Sequence, residues 1–333
     1  MTNRYSQDHH QHPDHQQLLN KLAWVIEKGA SVKEFTLIFA HCNYTQWRDH
    51  LIQDLVEVCS VEIFQIGLTS EVTQLYSTIY SKIKSQLGQQ PPQGIMVYGF
   101  EVVTDLEQLL KLANRVREEF RKQFHVPVLF WVDDRVYSQF LRSARDLESW
   151  GTGSILDFQL STPDVIKFIQ QVIDLGFTQV LAAGAAGGLT HGQNLSNQQL
   201  ADLRRARQDL QHRQVRLAPD LEASVEFILG REIPNDPNQS QQHYQRSLDL
   251  WEDILGAYPS PNPEHLIRSG CVLFHMGLLY RTYATQDRNQ DQQHYLRARD
   301  YFVRSHYCFE QAKRPDLVAK FINPLGESLQ RLE

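Results

Sequence analysis

Five short apolar runs, separated by stretches of helical periodicity, constrain the first half of this chain more than any other feature. They are "FTLIFAH" (35–41), "VEIFQIGL" (61–68), "GIMVYGF" (94–100), "VPVLFWV" (126–132) and "SILDFQL" (154–160). Each is rich in β-branched or aromatic residues and nearly continuous in hydrophobicity. Strands covered on both faces read this way, and they belong to parallel sheets. Between the runs, apolar residues recur at helical spacing. Leu51, Leu55 and Val58 share a face of 45–59; Leu75, Ile79 and Ile83 do so in 72–87. Leu106, Leu110, Ala113 and Phe120 line 105–123; Val136, Phe140 and Leu147 line 134–150. The alternation predicts an α/β domain with a mostly parallel five-stranded sheet in three layers, joined by right-handed crossovers.

The character changes after residue 176. "AAGAAGGLTHGQNLSNQQ" reads as a flexible linker over 177–197. From 198 to 333 only helical periods follow, broken by "GREIPNDPNQSQQ" and "YPSPNPE". The opening "SQDHHQHPDHQQ" is too polar to pack, so 1–18 is expected to be a disordered His/Gln-rich tail. The α/β domain then occupies 19–176 and the helical domain 198–333.

The helical part carries an internal echo. Ser247, Trp251, Ile254 and Pro259 are spaced by 4, 3 and 5; Ser305, Phe309 and Ala312 repeat the first two spacings, and Pro315 follows. Leu273, Met276, Gly277 and Tyr280 are spaced 3, 1 and 3, as are Ile322, Leu325, Gly326 and Leu329. These patterns resemble the two halves of the tetratricopeptide repeat, with "YATQDRNQDQQH" as an inserted loop. The resemblance implies a partner-binding or repeat framework that includes Trp251, Gly277, Tyr280, Phe309 and Gly326.

The turn after the first run, "AHCNYTQ", is where a nucleotide-binding domain carries glycines, a lysine and a hydroxyl residue. Here there is no Gly and no Lys, and Thr45 alone offers the hydroxyl. Asn43 with Gln46 has the spacing of a capping box, which explains the helix start without a ligand. The third run ends in Gly99, Phe100 and Glu101, a single carboxylate; the fourth is followed by Asp133 and Asp134, which suit the N-terminus of a helix. "FTLIFAHCNYTQWRDHLIQDL", "MVYGFE" and "VLFWVDDRVYSQFLRSARDLESW" resemble the N-terminal regions of bacterial proteins with degenerate AAA/STAND-type NTPase domains. That resemblance implies a nucleotide-controlled switch or signalling scaffold, with Asn43, Thr45, Glu101 and Asp133 as the residues nearest a bound nucleotide. The missing lysine argues against hydrolysis.

Other chemistry is weaker. Gly187 and Gly192 have phosphate-loop spacing, but Gln193 and Asn194 stand where Lys and Ser/Thr belong. Cys42 is flanked by His41, which a strand points to the opposite face, leaving His125 or His191 as the base of a cysteine hydrolase. Glu222 and Glu226 share a helix face that reads as solvated, as does the run Arg204, Arg205 and Arg207. The N-terminal His9, His10, His12 and His15 could catch a metal but sit in a segment that cannot pack, and no metal or catalytic residue is assigned. Four cysteines without a CxxC pair suit a reducing cytoplasm. A net charge of -6 gives no reason to expect nucleic acid, and no apolar run reaches the roughly 18 residues of a membrane span. The resulting expectation is a non-enzymatic interaction, scaffold or signalling protein that binds another protein through its C-terminal helices and needs no cofactor. The alternative is a nucleotide-binding switch with an atypical phosphate loop, and self-association into a homo-oligomer stays open.

Overall fold

The computed structural model describes residues 13–88, 90–151, 155–187, 195–233, 236–257, 260–286 and 290–332. The chain divides into two compact units, Met1–Leu160 and Ser161–Glu333.

In the first unit α1 (Pro13–Val32) precedes β1 (Thr36–His41), α2 (Thr45–Val58), β2 (Ile63–Gly67), α3 (Leu75–Leu87) and β3 (Gly94–Tyr98). Then come α4 (Leu106–Arg115), α5 (Arg117–Gln123), β4 (Pro127–Val132), α6 (Asp134–Ser143), α7 (Arg145–Glu148) and β5 (Leu156–Asp157). All five apolar runs form strands of one parallel sheet, in the order β2-β3-β4-β1-β5. The last is cut to two residues, paired with Ala40 and His41 only.

The near-continuous hydrophobicity follows from a core on each face. Leu37, Phe39, Ile95, Val97, Val128 and Phe130 pack against α3, α4 and α6. The alternate residues Ile38, Ala40, Met96, Leu129 and Trp131 pack against α1 and α2. Trp131 Nε1 donates to Met96 Sδ at 3.1 Å, so the one polar atom of this fully buried side chain is paired. The order of strands explains which helix goes where. The connection from β1 to β2 runs past β4 and β3, whereas the later connections return the other way. With right-handed crossovers, α2 lands on one face and α3 to α7 on the other. β1 and β4 are neighbours whose exits go to opposite faces, the switch point at which open parallel sheets place a crevice at the carboxyl ends.

The second unit is helical: α8 (Thr162–Ala183), α9 (Asn197–His212), α10 (Pro219–Arg231), α11 (Pro237–Gly256), α12 (Pro263–Gln286), α13 (Asp291–Gln311), α14 (Pro315–Phe321) and α15 (Asn323–Gln330). The unit begins at Ser161, whose side chain caps α8, rather than near 198. Residues 177–183 are helix and 184–187 a 3-10 turn, so the linker expected over 177–197 is not one there; 188–194 lie outside the described residues. Just before that stretch, Gly176 is a packing residue, since a Cβ there would lie 2.5 Å from Ile228 Cδ1. α8 is the one described helix whose length and apolar composition would suffice to cross a membrane, and it meets that measure only marginally. Its Val165, Ile169, Val172, Ile173 and Phe177 are buried inside this unit.

Two hairpins, α10/α11 and α12/α13, share the same internal geometry. Ser247 Oγ donates to Ala223 O, and Ser305 Oγ donates to Gly270 O, both at 2.7 Å. Seven residues after each acceptor stands a glycine pressed against an aromatic ring. A Cβ on Gly230 would meet Tyr244 at 2.9 Å, and one on Gly277 would meet Phe302 at 2.5 Å. Between them, Phe227 touches Tyr244 and Phe274 touches Phe302, with ring centroids 5.8 and 5.5 Å apart. Small residues bring the paired helices together, and one large ring per hairpin fills the remaining space.

Candidate functional site

The crevice at the carboxyl ends of β1, β4 and β5 gathers the polar residues of the first unit. His41 ends β1 on the same side as Leu37 and Phe39, because side chains alternate along a strand. Its register partner is Asp157 on β5. His41 Nδ1 lies 2.8 Å from Asp157 Oδ1, and Nε2 lies 2.9 Å from Asp134 Oδ1 at the start of α6. Asp134 is also clamped by Asn43: its N–H donates to Asn43 Oδ1 at 3.0 Å, and Asn43 Nδ2 donates to Asp134 Oδ2 at 2.6 Å. Asp133, nearly buried, caps α6 by accepting from Val136 N at 2.7 Å, as the sequence predicts.

A second cluster adjoins it. Arg48 on the first turns of α2 is 8% exposed in its side chain and donates to Glu101 Oε1 at 2.5 Å. Its Nε and Nη2 reach Asp49 at 3.2 and 2.9 Å, and its guanidinium lies 5.4 Å from the Tyr98 ring centre. Glu101 reaches it because Gly99 turns the chain sharply after β3. Gly99 has φ +89, and a Cβ there would press on the Leu68 backbone at 3.0 Å, so only glycine makes this turn without strain.

The electrostatics follow from the inventory. Asp134 and Asp157 face His41, Asp49 and Glu101 face Arg48, and Asp133 lies beside them as a cap, so carboxylates outnumber the bases they meet. Burial lowers the His41 proton affinity, but the neighbouring Asp157 first and Asp134 second outweigh it, and the imidazole sits above its ordinary value. The imidazole, with its charged form favoured, ties β5 to the β4–α6 turn. An Asp–His pair of this kind orients a catalytic base when the second nitrogen faces a nucleophile; here that nitrogen faces Asp134. Cys42 points to the other face, into the α1/α2 core, and its thiol donates to Tyr44 O at 3.3 Å. His125 precedes β4 and is therefore at the opposite end of the sheet, about 20 Å from Cys42 along a strand of this length; His191 lies outside the described residues. Among the described residues no group of three or more His, Cys, Asp or Glu has a metal-binding arrangement.

All four residues named for a nucleotide thus meet at one end of the sheet: Asn43 on Asp134, Asp133 capping α6, Glu101 on Arg48, and Thr45 buried at the start of α2. Three details differ from expectation. The N-cap of α2 is Tyr44, one residue past Asn43, so Gln46 falls out of capping-box register. Glu101 is not isolated but ion-paired. His41, Arg48, Asp134 and Asp157 were missed as members of the site; a histidine ending a buried strand was the available signal.

Elsewhere the candidates settle differently. Gly184 ends α8 with φ +56, and Lys320 Nζ donates to Leu181 O at 2.6 Å. That is a helix carboxyl end taking a cation, opposite in polarity to a phosphate cradle. Gly188, Gly192, Gln193 and Asn194 lie outside the described residues, as do Pro259 and His9, His10 and His12. His15 is inside α1, its Nε2 2.9 Å from Gln159 O and its ring 5.5 Å from Trp47, so helix starts within the stretch read as tail. Glu222 and Glu226 are not a solvated pair: Arg207 binds both, and His243 meets Glu226 Oε2 at 2.5 Å. Glu226 is 4% exposed in its side chain. Its partners come from α9 and α11, which local sequence does not display; of the arginine run only Arg204 is exposed.

In the helical framework, Trp251 and Phe309 are fully buried and Tyr280 nearly so, stacked on Tyr301 at 5.5 Å. Gly277 is pressed on Phe302, but Gly326, its sequence counterpart, has open space around its missing Cβ. A scan against protein-family models finds no match to this chain, and a search of curated proteins finds none either.

Proposed function

We propose that this is a non-enzymatic interaction protein, in which a nucleotide-incompetent α/β unit accompanies a tetratricopeptide-like helical unit that binds another protein. The observation that carries the reading is on α13. Leu296, Val303 and Tyr307 are 38%, 51% and 60% exposed. At 100° per residue they fall within about 40° of one another, a mainly apolar stripe with the exposed Asp300 at its edge. The opposite side of the same helix is held by Ser305 and the Phe302 and Phe309 rings. An apolar stripe on a rigid hairpin suits a protein partner. Free cysteines among the described residues support a reducing, cytoplasmic setting. Co-purification of the full chain with its partner, set against the variant Leu296→Ser/Val303→Ser/Tyr307→Ser, tests the reading. The partner is lost from a folded variant if it holds; retention of the same partner at equal yield removes it.

The alternative is a degenerate AAA/STAND-type nucleotide switch using Asn43, Thr45, Glu101 and Asp133. It is supported by the crevice lying where open parallel sheets take ligands. The carboxylate excess there opposes a polyphosphate. Titration calorimetry with magnesium and ATP, GTP or NAD decides: micromolar binding that is lost in Asp133→Ala favours the switch.

A further inference from the structure

At the other end of the sheet, beneath the amino ends of β2, β3 and β4, the first unit holds a cavity of about 640 Å³. That lies within the range of about 300–1,000 Å³ found for small-molecule sites. Its wall is built from the end of α1, the end of α3, the 90–93 loop and the end of α5. In a parallel α/β unit every connecting helix returns antiparallel to the strands, so helix carboxyl ends collect at this edge. Three of them, closing at Val32, Leu87 and Gln123, bring the negative ends of their dipoles to this edge.

A carboxylate stands in the same wall. Glu27 Oε1 accepts both the N–H and the hydroxyl of Ser60, each at 2.7 Å. These bonds hold Glu27 below the usual carboxylate range. Its other oxygen, Oε2, has no hydrogen bond among the described residues. The rest of the wall is largely apolar: Tyr80, Ile83, Phe124, Pro91 and Pro92. Tyr80 lies parallel to Tyr76, with centroids 6.0 Å apart, which fixes the plane of its ring. The cavity also borders the exposed Lys33 and His125; Glu27 and Tyr80 are themselves reached by solvent, Tyr80 being 40% exposed, so salt screens all the charges at this rim.

We infer that this cavity binds a small organic ammonium ion on an apolar or aromatic body, with Glu27 Oε2 as its counter-ion and the Tyr80 ring against its body. The helix dipoles and a carboxylate with one open oxygen select for a donor cation, and the apolar wall selects for the body that carries it.

Calorimetry on the full chain tests this with three probes of one shape: 2-phenylethylammonium, 2-phenylethanol and phenylacetate. The ammonium binds, the alcohol binds more weakly, and the carboxylate does not bind. Glu27→Gln keeps the acceptor for Ser60 and lowers ammonium affinity by about tenfold, the loss of one charge-assisted hydrogen bond, while leaving the alcohol unchanged. Ile83→Trp, which fills the cavity, removes both. Equal binding of phenylacetate, an ammonium affinity unchanged in Glu27→Gln, or no ammonium binding at roughly 10 mM, the weak limit of specific association, overturns the inference.

Discussion

Ser247 and Ser305 occupy the same position in two successive helical hairpins. Each donates its hydroxyl across the hairpin to a backbone carbonyl 2.7 Å away, Ala223 O in one and Gly270 O in the other. Both serines are fully buried. The glycines that follow, Gly230 and Gly277, are the complementary half of the device, because each leaves room for a ring from the facing helix.

The two copies predict a specific contrast among glycines. Gly277→Ala places a Cβ against the fully buried Phe302 ring at 2.5 Å. Overpacking of that kind costs about 1–3 kcal/mol, which exceeds the gain of up to about 1 kcal/mol from alanine's helix propensity. Gly326→Ala meets no neighbour and keeps the propensity gain alone. Urea unfolding should therefore show Gly277→Ala destabilised and Gly326→Ala unchanged or more stable. Equal shifts would show that the apparent sequence equivalence of these glycines is structural after all.

Arg48 and Glu101 give a prediction for the crevice. Removing one member of a buried pair strands the other, at about 3–5 kcal/mol. Glu101→Ala should fall near the low end, about 3 kcal/mol, because Asp49 still contacts Arg48. The double variant Arg48→Met/Glu101→Leu replaces charge with apolar volume and should lie within about 1 kcal/mol of the parent. Denaturant midpoints of the three proteins check this. A double variant as unstable as Glu101→Ala would mean that the pair holds the crevice together by more than local charge balance.

The fold was legible where both faces of an element are buried, and the site was not, for a related reason. β4 is buried at all six positions, so its sequence has no choice but to be apolar throughout. The same logic identified β1 to β3 to within two residues. The His41–Asp157 contact joins residues 116 positions apart and exists only because β5 lies beside β1. Strand order is not written in any local pattern. The Arg207–Glu226–His243 cluster was hidden likewise, since each member comes from a different helix. Gly277 was legible as a framework position and marks close helix packing, as does Gly176, whereas Gly326, its sequence counterpart, has open space around it.

His41 predicts a stability that declines on the alkaline side. Its folded proton affinity is raised, through Asp157 and then Asp134, against the lowering effect of burial. Its contribution is then complete below the unfolded value of about 6.5 and is lost as pH rises through the folded value. Asp157→Asn removes the leading cause of the rise. The stability gap between parent and variant should be widest near pH 6 and narrow as pH increases, by less than about 1.4 kcal/mol per unit. Asp157 and Asp134 are 46% and 76% exposed, and solvent screening keeps the effect below that ceiling. A gap that stays flat with pH would show that Asp157 does not raise the His41 proton affinity.

His275 predicts the opposite dependence in the helical unit. It is almost fully buried on α12, with Phe227 and Phe274 rings 5.0 and 5.8 Å away. Burial first, and the Arg231 charge second, push it down to about 3, although the imidazole pairs with Cys271 O at 2.9 Å. The folded imidazole therefore stays neutral while the unfolded one gains a proton below about pH 6.5. Its contribution is complete above that value and is lost as pH falls towards 3, at up to about 1.4 kcal/mol per unit. Glu226 adds to the loss at the lower end. Burial raises its proton affinity, but His243 and Arg207 outweigh burial and the net is downward, so its contribution disappears as pH falls through and below about 4.5. Hydrogen exchange of the α12 amides, followed from pH 7 to pH 5 after correction for the intrinsic rate, reads this unit without the other. Protection should fall with pH in the parent and fall less in His275→Phe, which keeps the ring and removes the proton site. Identical slopes in the two proteins would assign the acid sensitivity of α12 to a different group.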